Sequence, residues 1–192
     1  MKRILKKTIL LSMSLIMLLA LVACGNNSKG ETTLTKDGKF PIFKARGLDG
    51  KEYTNETFKE NAVTVANFWF TGCGACIEEM PELERISKEW LEKDVKLVGI
   101  CSDANTEEGV AEAKKILAKS GVTYPNLVMQ KGEEIDKLMS TIVAFPTTLL
   151  IDREGNIIGE PIVGAIDTKE QQEMINKKID DILAKDSKEE VK

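Results

Sequence analysis

Histidine is absent from this chain of 192 residues, and its absence excludes more chemistry than any other feature of the composition. A Ser-His-Asp triad, a Cys-His nucleophile pair and a histidine-ligated zinc or copper site cannot be built within the chain. Basic residues are not in excess either. The net charge is −4 and no Lys/Arg cluster follows the first few residues, so the pattern does not favour nucleic-acid binding.

Cysteine is scarce as well. The four cysteines, Cys24, Cys73, Cys76 and Cys101, are too few and too clustered for a small domain held together by disulfides. The motif Cys73-Gly74-Ala75-Cys76 supplies only two of the four ligands of a structural zinc, and a disulfide within it closes too small a loop to stabilise the fold much. We therefore expect no metal and no cofactor other than a redox-active disulfide between Cys73 and Cys76.

The N-terminal residues have the features of an export signal. Basic residues cluster in the first seven positions, and residues 8–23 are uncharged and mostly apolar, over a run shorter than the about 20 residues of a membrane-spanning helix. The run ends in Leu-Val-Ala-Cys-Gly, which resembles the lipobox of bacterial lipoproteins, whose cysteine thiol receives a diacylglyceryl group before the chain is cut just ahead of it. This predicts a signal peptide over residues 1–23, lipidation of Cys24 and a flexible tether over residues 24–39. An uncleaved signal anchor is the alternative, and both place the domain on the extracytoplasmic face of a bacterial cell membrane.

Strand and helix patterns alternate over residues 40–186, which we take as one folded domain, with a charged tail over residues 187–192. A hairpin is predicted around Asp49-Gly50, and Asp167 with Glu170 is expected to cap the last helix. Strands are predicted over residues 62–70, 95–101, 147–152 and 157–163, and helices over residues 75–93, 107–119 and 133–140. The order predicts an α/β fold with a mixed sheet flanked by helices.

The two central cysteines lie where a predicted strand ends and a predicted helix begins. A helix N-terminus offers unpaired N–H groups and partial positive charge, which stabilise a thiolate in its first turn. We therefore expect Cys73 to attack a substrate disulfide and Cys76 to resolve the mixed disulfide.

Two separate segments resemble one known family. Residues 67–81, NFWFTGCGACIEEMP, resemble the active-site segment of TlpA/ResA-type thioredoxins, which show N-F-W-x-x-W-C-x-x-C-x-x-E-x-P. Residues 145–152, FPTTLLID, followed by Gly155, look like the cis-proline loop of that family and the strand after it. The resemblance implies a thioredoxin fold with an added N-terminal hairpin and an inserted helix, together with extracytoplasmic thiol–disulfide exchange.

The resemblance also assigns roles to individual residues. Pro146 matches the cis-proline beside the disulfide, and Trp69 and Phe145 are assigned with it to substrate binding. Glu79 matches the active-site glutamate; it lies three residues past Cys76 on the same helix face, where a partly buried carboxylate could exchange a proton with that thiol.

The sequence departs from the family pattern at Gly72, where the family usually has tryptophan, and the departure removes an apolar flank of the site. Cys101 ends a predicted buried strand, and a packing role is favoured there over a third redox thiol.

The resemblance favours a reductant, fed by an integral membrane thiol donor, acting on disulfide-bearing exported proteins such as an apocytochrome c or an oxidised repair enzyme. An oxidant that installs disulfides is the alternative. A peroxiredoxin-like peroxidase is less favoured because Thr71 stands two rather than three residues before Cys73. A copper-delivery module is excluded by the cysteine spacing and the missing histidine.

Overall fold

Seven strands and five helices form the part of the chain, residues 38–189, that the computed structural model describes. The strands are β1 (Lys44–Gly47), β2 (Glu52–Thr54), β3 (Val63–Trp69), β4 (Val95–Cys101), β5 (Asn126–Met129), β6 (Thr147–Asp152) and β7 (Ile162–Val163). The helices are α1 (Glu56–Lys59), α2 (Gly74–Leu91), α3 (Glu107–Lys119), α4 (Glu133–Thr141) and α5 (Lys169–Glu189).

All seven strands belong to one mixed sheet in the order β2-β1-β5-β4-β3-β6-β7. The central strands β3, β4 and β5 are parallel, because α2 and α3 carry the chain back between them. The flanking pairs are antiparallel, with the β1–β2 hairpin on one side and β6 and β7 on the other. The predicted α/β architecture with an N-terminal hairpin is confirmed.

Strand β3 lies at the centre of the core, and all seven of its residues are buried. Successive side chains of a strand point to opposite faces of the sheet. Phe68 accordingly packs with Phe40 and Phe58 on one face, while Val65 packs against α2 and α5 on the other. The end of β3 is thereby held rigidly where the chain turns towards Cys73.

Two predictions for the C-terminal half are wrong: the bounds of one strand and the residue that caps α5. The strand predicted over residues 157–163 is reduced to Ile162–Val163, because Gly159 adopts a left-handed φ of 73° and Pro161 has no N–H to donate. The predicted cap of α5 is shifted by one residue. Thr168, not Asp167, accepts from the Gln171 N–H, while the Gln171 side chain accepts from the Thr168 N–H.

Regular structure extends beyond both ends of the range predicted for the domain, residues 40–186. The carbonyl of Gly38 accepts from Ile157 N–H at 2.7 Å, so the ordered domain begins before Phe40. Helix α5 continues to Glu189, into the stretch predicted as a charged tail.

The predicted signal peptide, Cys24 and the tether up to residue 37 lie outside the described residues. Within residues 38–189, no helix is both long enough and apolar enough to cross a membrane.

Candidate functional site

Cys73 and Cys76 form a disulfide at the N-terminus of α2, with their Cα atoms 5.3 Å apart. Cys73 is the N-cap residue, and its Sγ accepts a hydrogen bond from the Cys76 N–H at 3.1 Å. Cys73 is 6% exposed and Cys76 only 1% exposed, so the first sulfur is the more accessible to a partner. The predicted placement of the pair at a strand-to-helix junction is confirmed.

A tight turn connects β3 to the disulfide. Cys73 N–H donates to the Phe70 carbonyl at 3.1 Å, and Thr71 N–H donates to both carboxylate oxygens of Asp103 at 3.1 Å. Sequence reasoning did not find Asp103. Its position just after β4 could have indicated it. The carboxyl ends of the adjacent parallel strands β3 and β4 meet at one edge of the sheet, so an acidic residue after β4 lies near the turn after β3. Asp103 therefore anchors the turn that presents Cys73.

Glu79 lies on the inner side of α2 and has no exposed surface. Its Oε1 accepts from Asn67 Nδ2 at 3.0 Å and its Oε2 accepts from Ile166 N–H at 2.8 Å. Burial raises the pKa of this carboxyl to about 7, although the two hydrogen bonds act to lower it. The sequence predicted partial burial and the structure shows complete burial, whereas the neighbouring Glu78 is exposed as expected.

The Phe145–Pro146 peptide bond is cis, which confirms the prediction made from the family resemblance. The Pro146 carbonyl accepts from Gly164 N–H at 2.9 Å, which ties this loop to the residue after β7. The Phe145 ring is half-buried and packs against the cluster that contains both active-site cysteines. The two segments that resemble the family, far apart in sequence, thus meet at one site.

Trp69 does not lie at the surface, where the predicted role in substrate binding would require it. Its side chain is fully buried, and the indole Nε1–H donates to Asn126 Oδ1 at 2.8 Å. A side chain with no exposed surface cannot contact a substrate in this structure, so the prediction of a substrate-binding Trp69 is corrected. The indole packs with Cys73 and Cys76 and supports the site from within.

Cys101 is a free thiol, 2% exposed, in the same cluster as the disulfide. Its S–H donates to Asp103 Oδ1 at 3.3 Å. Burial, followed by the hydrogen bond to Asp103, raises the pKa of this thiol to about 12. The thiolate is therefore disfavoured, in keeping with the packing role that the sequence favours.

One known protein family matches most of the chain. The model of the redoxin family matches residues 35–177. Thiol-disulfide oxidoreductase ResA of Bacillus thuringiensis subsp. konkukian is 33% identical over 139 residues, which cover 72% of this chain and 75% of ResA. Thioredoxin-like protein YneN of Bacillus subtilis is 27% identical over 149 residues, which cover 78% of this chain and 84% of YneN.

Solved structures give the same fold. A putative thiol:disulfide interchange protein DsbE from Chlorobium tepidum aligns with a TM-score of 0.61 at 24% identity, over 76% of this chain and 95% of that protein. The thioredoxin domain of a thiol-disulfide oxidoreductase from Bacteroides vulgatus aligns with a TM-score of 0.57 at 27% identity, over 71% of this chain and 94% of that domain. The described residues therefore adopt a thioredoxin-like fold.

Proposed function

The chain belongs to the redoxin family and is a thiol–disulfide oxidoreductase of the TlpA/ResA type, and from that premise we propose that it reduces disulfides of exported proteins while anchored to the outer face of a bacterial cell membrane. The observation that carries the proposal is the Cys73–Cys76 disulfide at the start of α2, with the buried carboxyl of Glu79 on the same helix. The disulfide is the only redox group that the proposed reaction requires.

Cys73 is the nucleophile because it is the more exposed sulfur and already accepts an N–H hydrogen bond at the helix N-terminus. Its thiolate attacks one client sulfur, which forms a mixed disulfide and releases the other client sulfur as a thiolate. The Cys76 thiolate then attacks the Cys73 sulfur, which re-forms the Cys73–Cys76 disulfide and releases the second client thiolate. Two electrons pass to the client, and the two protons of the original dithiol end on the client thiols.

Glu79 is suited to accept the Cys76 proton before that second attack. A carboxyl with a pKa near 7 is partly ionised at neutral pH, so it takes up a proton more readily than an ordinary glutamate would. Its position three residues after Cys76 places both groups on one face of α2. Replacement of Glu79 by Gln should therefore remove an inflection near pH 7 from the rate of the resolving step.

The proposed cellular location rests on the sequence before the domain. The basic and apolar residues 1–23, followed by Cys24, support export and lipidation. An exported compartment tends to be oxidising, so a reductant there needs electrons from an integral membrane dithiol donor. Suitable clients are disulfide-bearing exported proteins, such as an apocytochrome c or an oxidised repair enzyme.

The direction of transfer can be tested by the reduction potential of the chain from Lys29 onward, measured in thiol buffers. Trp69 packs against the disulfide and should report its state by fluorescence. A potential near or below about −270 mV would support a reductant, whereas one near about −120 mV would make the protein an oxidant. Rapid turnover of hydrogen peroxide, faster than that of client disulfides, would instead favour the peroxidase alternative.

A cysteine control separates the redox pair from the other buried thiol. Cys76→Ala should abolish the two-electron couple, whereas Cys101→Ala should leave it in place. Loss of the couple in Cys101→Ala would show that the third thiol takes part in the reaction.

The location is tested by Cys24→Ser in the full chain. Incorporation of a labelled fatty acid by the natural sequence but not by Cys24→Ser supports lipid anchoring, and no incorporation by either supports an uncleaved signal anchor instead.

A further inference from the structure

Phe70 is a half-buried aromatic residue at the turn between β3 and the disulfide. Its ring meets the Phe145 ring edge to face, with centroids 5.2 Å apart and planes at 76°. Both rings pack against the cluster that contains Cys73 and Cys76. The contact therefore joins the turn that presents Cys73 to the cis-proline loop, and it forms an apolar wall beside the redox pair.

Gly72 makes room for this ring. A Cβ atom at position 72 would lie 3.0 Å from Phe70 Cε2, closer than side-chain carbons normally approach. The backbone of Gly72 does not require glycine, because its φ lies outside the left-handed region. Glycine at this position thus leaves the space that the Phe70 ring occupies, and a Cβ there would push the ring by a few tenths of an ångström.

The three chain segments that border the wall carry no charge, and the exposed Asp103 carboxylate at their edge already accepts hydrogen bonds from Thr71. Residues 70–77, 142–148 and 162–166 meet at the site through the Phe70–Phe145 contact and the hydrogen bond from Gly164 N–H to the Pro146 carbonyl. None of these segments contains an acidic or basic residue, in a chain that is 30% charged. Val143 and Val163 stand 89% and 65% exposed within them. An apolar client segment can lose water against this surface without leaving a buried charge unpaired.

We propose that Phe70, seated against Phe145 by the glycine at position 72, is the specificity-determining residue of the site and selects client disulfides with an aromatic or branched apolar residue beside the cysteine. The inference rests on the proposed thiol–disulfide exchange and adds the substrate class. The client residue packs on the exposed part of the Phe70–Phe145 pair while its neighbouring sulfur meets Cys73. Aromatic contacts of this kind correspond to a preference of about 3- to 10-fold in rate.

The test uses the reduced full chain in detergent and two short peptides, each carrying one cysteine in a mixed disulfide with glutathione. The peptides are identical except for Phe or Ser beside the cysteine. Single-turnover reduction, followed by Trp69 fluorescence, gives a rate constant for each peptide, and the Phe/Ser ratio is the readout. We expect a ratio of about 3 to 10 for the natural sequence and a ratio near 1 for Phe70→Ala.

Gly72→Ala supplies an independent variant, because it disturbs the ring without removing it. It should lower the ratio as well, and the Phe70→Ala/Gly72→Ala double variant should be no lower than Phe70→Ala alone, since both changes act on one contact. Leu91→Ala is the matched control. This apolar residue is 60% exposed at the opposite end of α2, about 25 Å away along the helix, and its replacement should leave the ratio unchanged.

An unchanged ratio in Phe70→Ala, or independent additive effects of Phe70→Ala and Gly72→Ala, would overturn the proposal. So would sedimentation evidence that the uncharged surface is covered by a second copy of the chain at assay concentration. Reduction of neither peptide by the natural sequence would be a different result, because it would refute the proposed exchange reaction itself. The tryptophan fluorescence before mixing, to which buried Trp69 and Trp90 both contribute, checks that each variant has folded.

Discussion

Replacing Glu79 by Gln should flatten the dependence of the domain's stability on pH between pH 5 and pH 8. The carboxyl has no exposed surface and its pKa in the folded protein is raised by burial to about 7, against 4.5 for an unperturbed glutamate. Between these two values the folded protein holds the proton and the unfolded chain releases it. The group therefore favours the folded state most below pH 4.5, and this contribution is lost as the pH rises through 7.

The size of the effect follows from the two pKa values. Integration of proton release between pH 5 and pH 8 gives a loss of about 2–3 kcal/mol in the free energy of unfolding from this one group. The Glu79→Gln variant would have no proton to release at this position and would lose nothing over that range. The new side-chain amide places an N–H₂ opposite either Asn67 Nδ2 or the Ile166 N–H, which costs about 1–3 kcal/mol. That cost is the same at both pH values, so it does not enter the difference.

The measurement is urea unfolding of the oxidised domain at pH 5 and pH 8, for the natural sequence, Glu79→Gln and Glu78→Gln. Keeping the disulfide intact prevents Cys73 and Cys76 from titrating. With a urea dependence of about 1–3 kcal/mol per molar, the two pH profiles should diverge by roughly 1 M or more in midpoint. Glu78 is exposed, so its variant should follow the natural profile. Equal pH profiles for the natural sequence and Glu79→Gln would refute the conclusion that burial holds this carboxyl protonated.

Two further predictions concern the supports of the site and the last helix. Gly99→Ala should destabilise the domain by about 3 kcal/mol and change Trp69 fluorescence, because the new Cβ would lie 2.0 Å from the Asn126 Oδ1 that holds the indole; a loss below about 0.5 kcal/mol in urea unfolding would contradict this packing. Thr168→Ala should cost about 1 kcal/mol, because the hydroxyl caps α5 by accepting from Gln171 N–H. Asp167→Ala, which replaces the cap expected from the sequence, should lower the free energy of unfolding by less than Thr168→Ala does. A larger loss for Asp167→Ala would show that Asp167 is the cap.

Several elements could be predicted from the sequence with little error. The bounds of β4, α3 and β6 agree with those expected, because each has a strong hydrophobic period and a clear stop, such as Gly121 after α3 with its φ of 71°. The reactive pair was found for a similar reason. The Cys73–Cys76 spacing, a buried strand before it and a helix after it are all local features of the chain.

The remaining errors arose where weak local signals compete. Thr168 and Asp167 are both good capping residues, with Gln171 and Glu170 three positions on, and only the packing of α5 decided between them. The strand over residues 157–163 looked continuous by composition, yet Gly159 takes a left-handed conformation that ends the pairing.

The sequence by itself determined the redox pair through the local Cys73–Cys76 pattern, and its resemblance to TlpA/ResA-type thioredoxins implied the thioredoxin-like fold and the cis-proline. Only the tertiary structure decided what surrounds them. Asp103 holds the turn from 32 residues away, Asn126 holds the indole of Trp69 from 57, and Ile166 binds Glu79 from 87. These partners depend on how the strands are ordered in the sheet, and no local pattern encodes that order. The buried state of Glu79 and the ring contact of Phe70 follow from the same long-range packing, so the proton chemistry and the client surface could be derived only from the folded domain.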